Sequence, residues 1–329
     1  MKVRTVKWLH GVMLFTLGQA LMLAEPVLAQ SNYPTKTIRI IIGVAPGGAT
    51  DILARAVGTR LSETFRQPVV IDNRPGANHI IGGDITAKSP KDGYTLQMIP
   101  EGFVINPSIY KQLPFDAIKD FSAIAIAALV PNVLVVNPQI PVRTVKEFIS
   151  YAKEHQGKLS FGSSGMGSPS HMSGELFKVM AKIDATHIPY KGQAQSMVEL
   201  IGGHLEFSFP TIPAAVAHIR SKKLNALGVT IKFRAKALPD IAPISEAGLP
   251  GYEVSGWYGI VGPAGIPANI VNLLNKEINR ILQNEETHNQ LSQEGAEPRS
   301  MSPEEFGTIM SNDLQKWAKV VKDSGIKSQ

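Results

Sequence analysis

Apolar positions along the chain switch repeatedly between two rhythms. Short runs rich in β-branched residues predict strands at 38–44, 69–71, 95–99, 121–129, 133–136 and 159–161. Between the runs, apolar residues return every three or four positions. Ile52, Leu53, Ala56, Val57 and Leu61 predict a helix over 51–61, and a second is predicted over 80–87. Thr144 and Glu147 have the spacing of a capping box and open a helix that runs to 154. A helix over 171–182 carries Leu176, Val179 and Met180 on one side. The alternation continues through 188, 197–201, 205–209, 214–219 and 226–229 to a strand at 257–261. Pro267 starts a long helix over 268–282, with Ile270, Leu273, Leu274, Ile278 and Ile281 on its buried side. Ser302 and Glu305 cap the last helix.

Such alternation predicts an α/β architecture with mainly parallel sheets, a class that binds ligands at the carboxyl ends of strands. Turn-rich stretches near 130 and at 251–256 predict two crossings between lobes. One lobe would then be discontinuous, 30–131 plus 255–329, and the other would span 132–254.

The N-terminus adds a destination. Lys2, Arg4 and Lys7 precede a short apolar stretch interrupted by His10, Gly11, Gly18 and Gln19, and Val27 and Ala29 supply small residues. This is the pattern of a signal peptide over 1–29, cut before Gln30. The 329 residues contain no cysteine, which excludes disulfides, thiolate metal sites, a cysteine nucleophile and a lipid-bearing Cys. A secreted, cysteine-free chain fits a periplasm, where it is expected to be soluble and not lipid-anchored. The net charge of +6 is scattered without aromatic interleaving, so nucleic acid is not an expected partner.

Two segments share one plan of strand, loop of small residues and helix start. One is Val44-Ala45-Pro46-Gly47-Gly48-Ala49-Thr50-Asp51, and the other runs from Phe161 through Ser163, Ser164, Gly165, Gly167 and Ser168 to His171. Glycines let backbone N–H groups approach a ligand, and the helix start adds unpaired donors and partial positive charge. An anion suits both loops, although either can also be a plain βα turn. Enzyme signatures fail: Gly162-Ser163-Ser164-Gly165-Met166 misses the last glycine of G-x-S-x-G, and neither a P-loop nor H-E-x-x-H occurs. Neither a catalytic residue, a metal nor a cofactor is expected. Asp51 at a helix start reads as a cap or brace, and His171 as a brace or ligand-bonding group. Glu101, Lys191, Trp257 and Tyr258 are each open to a structural or a ligand-facing role.

The chain resembles the Bug family, periplasmic solute-binding receptors of tripartite tricarboxylate transporters. The likeness rests on Ala45-Pro46-Gly47-Gly48 with Asp51 and Arg55, Asp72-Asn73-Arg74-Pro75-Gly76-Ala77, Asp92-Gly93-Tyr94, Leu113-Pro114-Phe115-Asp116, the loop 162–168 with His171 and Glu175, Pro189-Tyr190-Lys191-Gly192 and Gly256-Trp257-Tyr258-Gly259. It implies a two-lobed type II Venus-flytrap fold that closes on an organic acid without turning it over. The implied partners are a permease of one large and one small subunit, with the receptor itself a monomer. The ligand carboxylate would be held by backbone donors around Ala45, Gly47, Gly48, Ala49 and Asp51. Ser163, Ser164, Gly167, Ser168 and His171 would face it across the cleft. Two departures from the family pattern stand out: Asn78 and His79 replace glycines, and Pro210-Thr211 stands where many members carry an Asp able to hold an amine. Asn78 and His79 thus become candidates for a second acidic group, which points towards a dicarboxylate. Two other readings are a signalling receptor of the same fold, feeding a sensor kinase, and a hydrolase using Ser164 and His171.

Overall fold

The computed structural model describes residues 33–44, 46, 49–254, 256–293 and 295–326. The expected signal peptide over 1–29 lies outside them, as do Ala45, Gly47 and Gly48 of the first loop. All elements belong to one unit, Lys36–Gln329.

The chain first lays down β1 (Ile38–Ile42), α1 (Ala49–Phe65), β2 (Val69–Asn73), α2 (Ile80–Ala87), β3 (Thr95–Pro100), α3 (Gly102–Ile109) and β4 (Phe121–Leu129). It then enters a second sheet through β5 (Val133–Val136), α4 (Val145–Glu154), β6 (Leu159–Ser163), α5 (Pro169–Ala181), β7 (Ala185–Pro189), α6 (Gln193–Ile201), β8 (Phe207–Ser208), α7 (Ile212–Arg220), β9 (Asn225–Val229) and the single turn α8 (Ile244–Ala247). It returns as β10 (Trp257–Pro263), α9 (Ala268–Gln283), α10 (Glu285–Gln293), β11 (Glu297–Pro298) and α11 (Pro303–Asp323). The first sheet has the order β11-β4-β10-β3-β1-β2 and the second β7-β6-β8-β5-β9. The fold is therefore α/β and two-lobed, one sheet to each lobe.

The sheets are mixed, which corrects the expectation of mainly parallel ones. β1 runs parallel to β2 and β3, and β6 to β7 and β8, because helices connect these strands. Antiparallel pairing joins β10 with β3 and β4, β11 with β4, and β5 with β8 and β9. β4, β5, β9 and β10 flank the two passages between sheets. A strand that carries the chain out of a sheet and another that brings it back run in opposite senses, so they pair antiparallel.

Local chemistry explains the helix ends. Ser302 and Glu305 form a complete capping box. At α4 the Thr144 hydroxyl accepts the Glu147 N–H, while the Glu147 carboxylate takes the N–H of Arg143 in place of that of Thr144. On α9 the buried residues Ile270, Leu274, Ile278, Ile281 and Leu282 follow the expected face. On α5 the expected face does not hold: residues 170–175 are buried all round, Phe177 and Ala181 continue the buried line, and Leu176, Val179 and Met180 are only partly covered. Its first two turns lie between elements on every side, so no polar face was needed.

One core is shared between the second sheet and helices that belong with the first. Leu134, Phe148, Phe161, Phe177 and Phe207 of the second sheet's layers pack with Ile105 and Ile109 of α3 and with Trp317, Val320 and Val321 of α11. Helices counted with the first sheet thus insert into the second lobe's core. The first lobe has its own aromatic cluster, in which the Phe103 and Phe115 rings stack 5.2 Å apart and Phe121 meets both edge-on.

Candidate functional site

Both small-residue loops stand at the carboxyl end of a strand and the start of a helix, β1 to α1 and β6 to α5. Behind the first loop, Asp51 is buried and paired with Arg55 at 2.9 Å. The Asn73 amide donates to Asp51 Oδ1 at 3.2 Å and to the Val44 carbonyl at 3.0 Å. Asn73 therefore ties the end of β2 both to the segment that follows β1 and, through Asp51, to the first turn of α1, which Ala49 opens.

The serine loop is braced from within. Ser168 caps α5, accepting the His171 N–H at 3.3 Å and donating to the Gly165 carbonyl at 2.7 Å. Ser163 Oγ lies 2.6 Å from His187 Nε2 and accepts the Gly165 N–H at 3.1 Å. Ser164 bonds Ser170 Oγ through both its N–H, at 3.0 Å, and its hydroxyl, at 3.1 Å. The Gly167 N–H donates to His171 Nδ1 at 3.0 Å. That bond requires a lone pair on Nδ1 and so assigns the ring proton to Nε2, which faces Glu175 Oε1 at 3.8 Å. The His171 and His187 rings stack 3.8 Å apart. Burial, with the charge of Lys178, depresses both, His171 to about 2 and His187 to about 4, and the charge of His187 adds to the shift of His171. Both imidazoles are neutral at any physiological pH. Ser168→Ala, which removes a helix cap and one strut of the loop, is expected to lower stability by about 1 kcal/mol, readable as a shift in the urea midpoint.

Asn78 and His79 are both left-handed, at φ 48° and φ 70°. Asn78 is not free: its amide donates to Asn106 Oδ1 at 2.7 Å, and its carbonyl accepts the Asn106 amide at 2.9 Å. His79 is 3% exposed, its ring packs on Gly43, and its Nδ1 has no partner. Desolvation alone lowers it to about 4. Asn78 nonetheless marks the meeting of the lobes. A Cβ built on Gly167 would stand 3.2 Å from Asn78 Nδ2, and one built on Gly102 would stand 3.0 Å from the Gly167 carbonyl. The serine loop thus touches the start of α3 across the cleft. On another edge, a Cβ on Gly295 would come within 2.7 Å of Ile212, and the Lys236 N–H reaches Glu297 at 3.2 Å. A cavity of about 20 Å³, lined by Ala49, Ile52 and Leu53 of α1, Val130 and Pro213 among others, lies between the helix starts of the two lobes.

The remaining candidates separate clearly. Lys191 is exposed. Trp257 is buried and donates to Asp313 at 2.6 Å, and Tyr258 is buried with its phenol kept protonated by desolvation and by the charge of Glu101. Glu101 is neither a solvated charge nor an open ligand contact; it is 1% exposed and accepts the Trp317 indole N–H at 3.0 Å. Its burial was not legible, because the residue that covers and bonds it, Trp317, lies 216 positions away. Ser164 and His171 make no bond to one another, since His171 Nδ1 is taken by Gly167 and Ser164 by Ser170. Among the described residues no cluster of three or more His, Asp or Glu is arranged to hold a metal, and no helix is long and apolar enough to cross a membrane.

Comparison with known proteins gives a consistent result. The model of the tripartite tricarboxylate transporter family receptor matches residues 53–326. Protein BugT of Bordetella pertussis is 33% identical over 319 residues, covering 96% of each chain. Among solved structures, Rpa4515 of R. palustris with adipate superposes with a TM-score of 0.83 at 34% identity, over 90% of this chain and all of that one. MatC from Rhodopseudomonas palustris with bound malate gives 0.78 at 29% identity, over 88% and 100%.

Proposed function

The chain belongs to the tripartite tricarboxylate transporter receptor family, a family of substrate-binding receptors and not enzymes, and from that premise we propose that it captures a small dicarboxylate in the periplasm and delivers it to a membrane permease. The observation that carries this reading is the contact of Gly167 with Gly102 and Asn78, which brings a loop-and-helix start of one lobe against the other. Adipate and malate, the acids held by the two similar structures, are both dicarboxylates.

One ligand carboxylate is anchored by backbone N–H groups of Ala45, Gly47, Gly48 and Ala49 at the start of α1. Such charge-assisted bonds contribute about 1.5–3 kcal/mol each, so a few of them offset ordering costs and reach the roughly 8 kcal/mol of a micromolar complex. Ser163, Ser168, Gly167 and His171 spend polar atoms on bonds within the loop and to His187, and so hold the opposite loop in a fixed shape. Ser164, half-buried, is the hydroxyl best placed to reach the guest. The lobes span 30–131 plus 255–329 and 132–254, and residues 1–29 form the export signal.

The test is a thermal-shift screen of mono-, di- and tricarboxylates on protein freed of endogenous ligand by unfolding and refolding. The matching dicarboxylate at a hundred times its Kd is expected to add about 2.7 kcal/mol; a screen without any shift overturns the reading. With that acid as probe, Gly48→Val is expected to weaken binding tenfold or more, roughly 1.4 kcal/mol, by blocking approach to the backbone. Exposed Lys191 is expected to tolerate Lys191→Ala within about threefold, as titration calorimetry would show.

A further inference from the structure

A buried carboxyl sits where the returning passage between the lobes meets the first sheet. Glu101 directly precedes α3, and its own N–H donates to the Trp257 carbonyl at 2.8 Å. Its Oε1 accepts the indole N–H of Trp317 on α11, and the N–H of Gly256 is directed at the same carboxyl. Gly256 in turn accepts the Val130 N–H at 2.8 Å, which joins the returning passage to the outgoing one. Glu101 Oε2 has no partner, and close by so does Asn132 Oδ1, both on residues only 1% exposed. A carboxylate here has one oxygen held by the Trp317 indole and the other without a protein donor, on a residue closed off from bulk solvent.

We propose that Glu101 is a proton-sensitive latch on the passages between the lobes: neutral, it keeps them dry and the lobes together; ionised, it draws water in and loosens them.

The surroundings favour the neutral form. α11 presents Asp313 and Lys316, and the Asp313 charge opposes ionisation more than Lys316 assists it. Beyond them Glu253 faces Asp313 and is itself paired with Lys232 at 2.7 Å. Tyr252 and Tyr258 also face Glu101 and remain protonated phenols. Burial and Asp313 together raise Glu101 to about 7, against 4.5 for a carboxyl in water. The group therefore binds its proton more tightly in the dry arrangement than in a hydrated one. Acid stabilises the dry arrangement, and that stabilisation is lost as pH rises from the ordinary carboxylate range through neutrality. The inference rests on the receptor reading for its use, since opening releases cargo, but the latch is measurable without any cargo.

The experiment follows the protection of the Val130 amide against hydrogen exchange in cargo-free protein between pH 5 and pH 8.5. After correction for intrinsic exchange, protection is expected to fall by up to roughly 70-fold across that range, and Glu101→Gln is expected to hold it at the acid level throughout. Parallel curves for the two proteins, or a wild-type curve that stays flat, overturn the proposal. Should Glu101→Gln fail to fold, two further variants decide. Trp317→Phe removes a bond that favours the anion and is expected to move the midpoint up; Asp313→Asn removes an opposing charge and is expected to move it down. A midpoint that neither variant moves overturns the latch. Because no ligand enters the assay, failure of the carboxylate screen leaves this result standing, and the reverse holds too.

Discussion

Gly256→Ala is expected to destabilise the protein by about 3 kcal/mol or more. Gly256 has φ +59°, where an L side chain costs roughly 1–2 kcal/mol. A Cβ there would also sit 2.4 Å from the Val130 carbonyl oxygen, a backbone atom that cannot swing aside. Relief means separating the two passages and stretching the bond between Val130 and Gly256, and overpacking of this kind costs about 1–3 kcal/mol. Gly251→Ala is the control. It has φ +83° but its nearest neighbour is Met180 at 3.9 Å, so it carries the backbone strain without the clash. Guanidinium unfolding of the two variants should place Gly256→Ala at the lower midpoint by a clear margin; equal midpoints would mean that the passages yield easily.

Acid is expected to unfold the protein through its buried histidines, and His79 shows the sign plainly. In the folded chain desolvation lowers it to about 4, while in the unfolded chain it titrates near 6.5. Below pH 6.5 the unfolded state takes up a proton that the folded state refuses. Stability from this group is whole above 6.5 and falls as pH drops towards 4. Between pH 7.5 and pH 4.5 that loss is about 2.5 kcal/mol for His79 alone. His79→Asn keeps a residue that tolerates the left-handed backbone but does not titrate, so its decline over the same interval should be smaller by that amount in denaturant titrations at each pH. Glu101 has the opposite slope, with stability lost as pH rises from 4.5 towards 7. The two variants His79→Asn and Glu101→Gln should therefore tilt the stability profile in opposite directions; a tilt in the same direction would show that one of the two groups is hydrated in the folded state.

Much of the lobe architecture is local and was readable in the chain. The β-branched run at 38–42 and the helical spacing of Ile52 to Leu61 state their own periods, and Ser302 and Glu305 close a capping box within one turn. The strand–loop–helix plan at 44–51 and 161–171 is likewise local, since glycine freedom and unpaired helix donors come from the residues themselves. Asp51 as a brace and His171 as a loop support also follow from their positions at helix starts.

What only the tertiary structure decided concerns partners far apart in sequence. Asn78 was a candidate for the ligand until Asn106, 28 residues on, took its amide. Glu101 read as an open question because nothing near it in sequence announces Trp317, 216 residues away, or a dry surround. The strand directions of β4, β5 and β10 likewise depend on how the chain passes between sheets and returns. Hydrophobic period and turn chemistry act over a few residues and so are written in order along the chain. Burial of a charge, occupancy of a hydrogen-bonding group and the sense of strand pairing are set by whatever the fold brings alongside, and a linear pattern carries no record of that neighbour.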